Sequence, residues 1–529
     1  MKFRCGVLLL GVIAVAVIGG GTAGARTQQF VASKQAHVAI PATKSGIATF
    51  LKAHGIDAKG VVIQRGDHNY AGPACPGTGW TCTTAKVVVQ FGHMDGWNQF
   101  QCSPSNASGG STSPPGGCVI VQVGTGGTNQ ATCLETTFAP SGVSQSCEIF
   151  QTNTTGNNRL VIAQAVTAFG GAEQDATQYS GTEQQTTTGS NDAEIGQLLT
   201  QSTNDISGGS QSQNGHQGVS VAQLTTTGNN VARVNQSLAQ NANIDGWTTG
   251  TVTQTQNATD TGPNTAAGIT QTSTSGQNQA VLNQSNDLEG IVSKWVNGSQ
   301  TQGAPGGGLL GHFDQSSSGL STVNGSQHEV QNMTIADEGF GIRFGTFQAS
   351  SGIGNNNNDK NGGNGSGGLG NGSGGFGSGG KGGNKNNGPS PGVVTQTQYG
   401  PAWFGSSQTG NANDVYDISS NSDQHASPSA VQSDEEFANC ETSGLCNAND
   451  HVNQNGNSQN NTCSNAVCHI GLIVTSGPNG GTTTCTGLNE DNGIETNVPD
   501  AAEGRTCPAP PAPPAPPTPP SQPPVNQIG

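Results

Sequence analysis

Between residues 118 and 350, polar and apolar side chains alternate with a period of two, and glycine punctuates the alternation. In Asn158–Gln164, "NRLVIAQ", the alternate residues Asn158, Leu160, Ile162 and Gln164 share one face of an extended strand. The same face recurs in "NDAEIGQ" (Asn191–Gln197), "NVARVNQ" (Asn230–Gln236) and "NQAVLNQ" (Asn278–Gln284). Its third position is Ile162, Ile195, Val234 or Leu282, apolar each time. The opposite face carries Arg159, Asp192 with Glu194, Arg233, and Gln279 with Asn283, so it should meet water. Upstream, Ile149, Val221 and Ile269 stand two residues before a glutamine and extend the alternation into a preceding strand; Thr182 is the polar exception.

Each pair of strands is joined through a Thr/Ser-rich turn that ends on glycine, giving the frame Q-x4-G-x-N-x-[AL]-x3-Q. Four segments fit it. They open at Gln151, Gln184, Gln223 and Gln271, place Asn158, Asn191, Asn230 and Asn278 after the turn, and close on Gln164, Gln197, Gln236 and Gln284. A weaker fifth, "QVGTGGTNQATCLE", puts Cys133 at the aliphatic position. The turn glycines are Gly127, Gly156, Gly189, Gly228 and Gly276, chosen for backbone conformations that other residues resist. One strand–turn–strand arc cannot bury its inner face alone, whereas stacked arcs can, so the pattern predicts an all-β fold, a β-solenoid. An unpaired buried amide costs on the order of a few kcal/mol. The inward Gln and Asn are therefore expected to pair with their equivalents on successive rungs, as stacking positions.

Other segments obey different rules. "KSGIATFLKAHG" sets Ile47, Phe50 and Leu51 at helical spacing, with Gly55 as a stop, and "GVVIQ" and "KVVVQF" read as short strands. Residues 26–117 are expected to form a small disulfide-containing domain, with Trp80 and Trp97 in its core. Residues 118–350 hold the solenoid and 351–392 a Gly/Asn/Ser-rich linker; 393–438 are a degenerate repeat segment, 439–507 a Cys-rich segment and 508–529 a stiff Pro-rich tail.

Composition agrees with this division. Of 529 residues 31% are hydrophobic and 9% charged, too few aliphatics for one ordinary core and too little charge for a conventional disordered chain. The balance of 17 basic against 33 acidic residues argues against nucleic acid and anionic lipid as partners. Lys2 and Arg4, an apolar run and Ala23-Gly24-Ala25 read as a signal peptide over residues 1–25, hence secretion, to the extracellular space or the cell surface, with no membrane insertion after cleavage. Beyond Cys5 the cysteines fall into two sets of six, as disulfides in an exported chain do. His451 and His469 lie near the second set, but its spacings contain no CxxC pair, so no metal is expected. Cys147 shares the inward parity of the strand before Gln151, which predicts a Cys133–Cys147 bridge pinning neighbouring strands; a local loop bridge is the other possibility.

The order Gln, Gly, Asn, Ala, Gln in strand–turn–strand arcs resembles the curlin repeat of curli-type bacterial surface amyloids, over about a third of the chain. The resemblance implies that the twelve Gln and Asn positions above stack, and that the chain assembles with itself or with similar repeat proteins. The turn here is two residues longer than in curlin repeats, although "QTGNAN" at 408–413 has the shorter form. The glycines from Gly156 onward are 33, 39 and 48 residues apart, whereas curlin repeats are more regular.

Several chemical motifs fail their context. "GFGSGGKG" imitates a phosphate loop but has Gly382 where Ser or Thr belongs, and "GPSPG" imitates a nucleophile elbow inside a proline-rich linker. Asp192 and Glu194 could pair as in polysaccharide-cleaving solenoids, yet no other repeat has a counterpart, so solvated charges are expected. Neither a catalytic residue nor a cofactor is implied. The leading expectation is a secreted, non-enzymatic structural protein, an amyloid-like fibre or biofilm-matrix component assembling by β-ladder stacking. The alternative is a monomeric solenoid adhesin that holds surface carbohydrate through inter-repeat loops, since irregular rungs template addition poorly. An ice-binding or polysaccharide-active solenoid comes third, because the "TTTG" runs sit at turns.

Overall fold

The computed structural model describes residues between 43 and 484, with breaks of which 337–393 is the longest. The signal segment, the 351–392 linker with both motif imitations, and the proline tail lie outside the described residues. The chain is a β-solenoid. Twenty-two strands form one sheet whose rungs pair almost entirely in parallel. Each rung has a first arm, a turn at the glycine and a second arm. The best-formed rungs are Cys118–Ala139, Val143–Phe169, Glu173–Thr188 with Asn191–Asp205, Ser210–Thr227 with Asn230–Asp245, and Thr265–Ser273 with Asn278–Ser293.

Register is kept through all of them. Gln151 lies between Gln122 and Gln184, and Asn191 between Asn158 and Asn230. The uneven spacing of the repeats does not disturb this. The 39-residue step from Asn191 to Asn230 becomes 48 residues from Asn230 to Asn278, yet both pairs hydrogen-bond. The extra residues enter on either side of Thr251–Gln256, where 245–251 and 256–265 replace the shorter connections of the previous rung. Insertions thus lengthen the return path and leave the paired arms alone.

The sequence boundary at 117 is not a break in the sheet. Val62–Arg65 with His68–Ala71, then Val87–Phe91 with Trp97–Cys102, are the first two rungs; the first pairs onto the second and the second onto Cys118–Ala139. Their glutamines were disguised by turns of other lengths: Gln64 precedes Asn69 by five residues and Gln90 precedes Asn98 by eight, where the later frame has seven. Trp97 is 46% exposed and so contributes no core, while Trp80 packs edge-on against His68 and Tyr70. A helix over Lys44–Ala53 buries Ile47, Phe50 and Leu51. It lies against the outward side chains Val89, Val119, Val121 and Phe150 of the first arms, forming a flank outside the solenoid. At the other end, Val394–Thr409 with Val415–Ser427 and Val431–Thr442 with Leu445–Gln454 continue the stack, so strands also run on through the Cys-rich segment. There Asn457–Ser464 turns back and pairs antiparallel on Leu445–Gln454.

The interior has two lobes. The first holds the aliphatic columns Ile162–Ile195–Val234–Leu282 and Ile120–Ile149, then Val221 and Ile269, all buried. Thr182 is buried in the second of these columns. Further along, Phe404 fills the space left by Gly311 and Gly325, and Phe313 and Tyr416 pack beside it. The second lobe is smaller and holds Val166, Leu199, Leu238 and Leu288.

Candidate functional site: a waist groove backed by amide ladders

The side-chain amides explain the frame. Gln151 Nε2 donates to Gln122 Oε1 at 2.7 Å, Gln184 to Gln151 at 2.8 Å, Gln223 to Gln184 and Gln271 to Gln223 at 2.7 Å. The chain of bonds runs from Gln64 through Gln90 up to Gln315. The second N–H of each crosses its own turn to the carbonyl of the residue after the asparagine: Arg159, Asp192, Val231 and Gln279. The asparagines run the other way. Asn158 Nδ2 donates to Asn191 Oδ1, Asn191 to Asn230 and Asn230 to Asn278, each at 2.9 Å, and each also donates to a first-arm carbonyl of the next rung. Both N–H groups of each amide are therefore used, which removes the desolvation cost of burying it. The turn is held from both sides.

The glycines answer a steric need more than a conformational one. Gly127, Gly189 and Gly228 have positive φ. A Cβ on Gly156, Gly189, Gly228 or Gly276, however, would strike the carbonyl oxygen of the glycine one rung earlier. Close approach of successive turns is what all of them share.

Disulfides join the early rungs. Cys102–Cys118 and Cys133–Cys147 each link the second arm of one rung to the first arm of the next, and Cys75–Cys82 closes a loop. Sulfur atoms of Cys118 and Cys133 approach a Glu135 oxygen within 4.8 Å, a metal-like group, but both sulfurs are spent in these bridges.

The closing glutamines form a third ladder: Gln327 to Gln284, Gln236, Gln197, Gln164 and finally Glu135 Oε2, at 2.8–2.9 Å. Every amide donates toward Glu135, so a carboxyl oxygen is the final acceptor of the row. Burial raises the pKa of Glu135, opposed by the Gln164 hydrogen bond and by Lys86. The remaining N–H groups of Gln164, Gln197, Gln236 and Gln284 reach across the interior to the carbonyls of Tyr179, Gly218, Ala266 and Leu310 on the opposite arm. These cross-bonds pinch the solenoid between its lobes.

The pinch makes a groove of about 730 Å³ on the outside. It follows the solenoid axis across the rungs from Leu134 to Ser326, five rung steps or roughly 24 Å. One half is apolar and open, lined by Leu134, Ala163, Ala165, Gly196 and Leu198, with Leu198 49% exposed. The other half is neutral and polar: Asn235, Asn283 and Ser326 form one wall, and Ser237, Ser285 and His328 the other. Within the walls Asn283 donates to Asn235 and Ser285 to Ser237. Phe138 (54% exposed) and Phe169 (52%) lie on the same face beyond the groove.

Sequence reading missed four further glutamine ladders in and beside the second lobe. These are Gln145–Gln178–Gln217; Gln174–Gln213–Gln256–Gln302–Gln398; Gln201–Gln240; and Gln211–Gln254–Gln300. The repeated "QTQ" at 254–256, 300–302 and 396–398 was the signal for the second and fourth of these. On the outer face Asp192 lies between Arg233 (3.1 Å) and Arg159 (4.0 Å), an exposed charge stack; no ion pair involves Glu194 among the described residues. Glu148 and Glu183, on the outward side of the first arms, have carboxyls pushed up to about 7 by burial.

Fold and site together define a parallel β-solenoid with a lateral groove. No family model matches the chain, no curated protein is similar to it, and no solved structure matches its fold.

Proposed function

We propose that the chain is a secreted, non-enzymatic, curlin-like solenoid that works as a monomeric adhesin at the cell surface. The observation that carries this reading is Asn457–Ser464, which pairs antiparallel on the last second arm. A parallel stack grows by adding an in-register rung, and a reversed strand occupies the edge on which that rung would form. At the N-terminal end the short strand Thr81–Thr83 covers His68–Ala71, pairing in parallel, beside the Cys75–Cys82 bridge. The amide ladders then serve stiffness, giving a rod that presents its lateral face.

A second reading keeps the amyloid-like fibre and biofilm-matrix role. It is favoured by the unbroken register of the ladders, the arrangement that cross-β assembly uses between chains. Sedimentation of the secreted chain over a wide concentration range, with amyloid-dye binding and seeding, separates the two. The adhesin reading expects a monomer that neither binds dye nor seeds. Seeded, dye-positive growth would replace it with the fibre.

A further inference from the structure

We propose that the waist groove binds one strand of a neutral, extended glycan lying parallel to the solenoid axis, with about one sugar unit per rung. The inference rests on the adhesin reading and names its site. Three features select this ligand.

First, the walls carry few ionisable groups. These are His328 at one end and Glu135 at the other, whose carboxyl is buried and engaged by Gln164, and the rest are amides, hydroxyls and aliphatics. A polyanion or a basic peptide finds no row of partner charges there. Second, the donors and acceptors repeat at the rung spacing, about 4.8 Å, close to the advance of one unit in a β-linked glycan. Asn235, Asn283 and Ser326 on one wall and Ser237 and Ser285 on the other offer both donor and acceptor to hydroxyl groups. Third, the backbone amides of the floor already pair rung to rung, so a peptide could not dock by adding a strand. The apolar half suits the C–H faces of sugar rings, and the absent side chain of Gly196 leaves room for one, since a Cβ there meets nothing closer than 3.9 Å.

The same openness supplies the test. Gly196→Phe fills the groove without touching the core, and Leu198→Glu puts a charge in it as a second, independent block. Gly268→Phe, on a first arm where a Cβ would meet no atom within 4 Å, is the control. Full-length secreted protein is titrated calorimetrically with cellohexaose, chitohexaose, laminarihexaose and xylohexaose, and with a hexamer of alginate as the charged comparison. The expected result is saturable one-to-one binding of at least one neutral hexamer. Binding should weaken at least tenfold in Gly196→Phe and Leu198→Glu, stay unchanged in Gly268→Phe, and be absent for alginate.

No binding of any neutral hexamer overturns the proposal, as does binding that both groove variants leave intact, or preference for alginate. If the variants abolish a self-association of the wild-type chain, the groove belongs to a second copy. If the protein adheres to an insoluble polysaccharide and both variants adhere equally, the adhesin reading stands and the groove assignment falls.

Discussion

The two lobes of the solenoid solve the same problem, filling a growing tube, in different ways. The first is apolar from Ile120 to Ile418 apart from the buried Thr182, and absorbs changes of size by pairing Phe404 with Gly311 and Gly325. The second starts apolar with Val166, Leu199 and Leu238, then on the next rungs of the same column places Asn286, Glu329 and Ser422. All three are buried, and Asn286 Nδ2, Glu329 Oε2 and Ser422 Oγ find no partner among the described residues. Conversion of volume is cheap when a glycine faces an aromatic. Conversion of polarity is cheap only when a ladder takes up every N–H and oxygen, as the glutamines do here and this column does not. The first lobe and its turn should therefore set the stability of the whole stack, while the second lobe sets how that stability responds to pH.

The largest effect should come from breaking the turn of the first lobe. In Gly228→Val the new side chain meets the Gly189 carbonyl of the preceding rung at a backbone where φ is 140°, and we expect a loss of about 3 kcal/mol in chemical denaturation. An unchanged midpoint would mean that successive turns are not in contact. Next comes the ladder. Gln223→Leu leaves an unpaired oxygen on Gln184 and an unpaired N–H on Gln271, and should cost about 2 kcal/mol. A cost near zero would show that the amides do not need one another.

The second lobe should respond to pH. Burial, partly offset by the Gln331 hydrogen bond, pushes the Glu329 carboxyl up to about 8 from an ordinary 4.5. The folded state therefore holds a proton that the unfolded state has lost between about pH 4.5 and 8. Stability from this group is greatest below pH 4.5, declines as pH rises through that window, and levels off above 8. Glu329→Gln should flatten the alkaline part of the melting-temperature profile measured from pH 5 to 9, leaving the slope from Glu148 and Glu183 below about 7. An identical slope in wild type and variant would remove Glu329 from the account. The smallest effect belongs to the exposed charge stack. Asp192→Asn should change stability by less than about 1 kcal/mol and lose even that in high salt.

What could be read in advance followed from local spacing. The opening Gln, the Asn and the aliphatic residue of each second arm lie within fourteen consecutive residues, so period two assigns them to one face without knowledge of the partner rung. The ladders of the second lobe escaped because their members are 33, 39, 43 and 46 residues apart, as insertions shift them relative to the glycine. Residues 61–102 escaped because their turns depart from the later length in both directions and a helix covers their outer face, which makes outward positions such as Val87 and Val89 apolar as well. The groove had no local signature. It arises where Gln164 and its equivalents reach across to a carbonyl on the opposite arm, and nothing about Ala163, Gly196 or Asn235 announces a concave surface.

All of this requires that rungs stack in one register, and paired cysteines read that register directly. The Oγ atoms of Ser237 and Ser285 are 3.1 Å apart on adjacent rungs, whereas Ser326 is a rung further from Ser237 and offset along its strand. In the full-length protein, Ser237→Cys combined with Ser285→Cys should oxidise to a single new disulfide, found by peptide mapping, and Ser237→Cys with Ser326→Cys should stay reduced. Equal crosslinking of both pairs, or of the second alone, would contradict the stack.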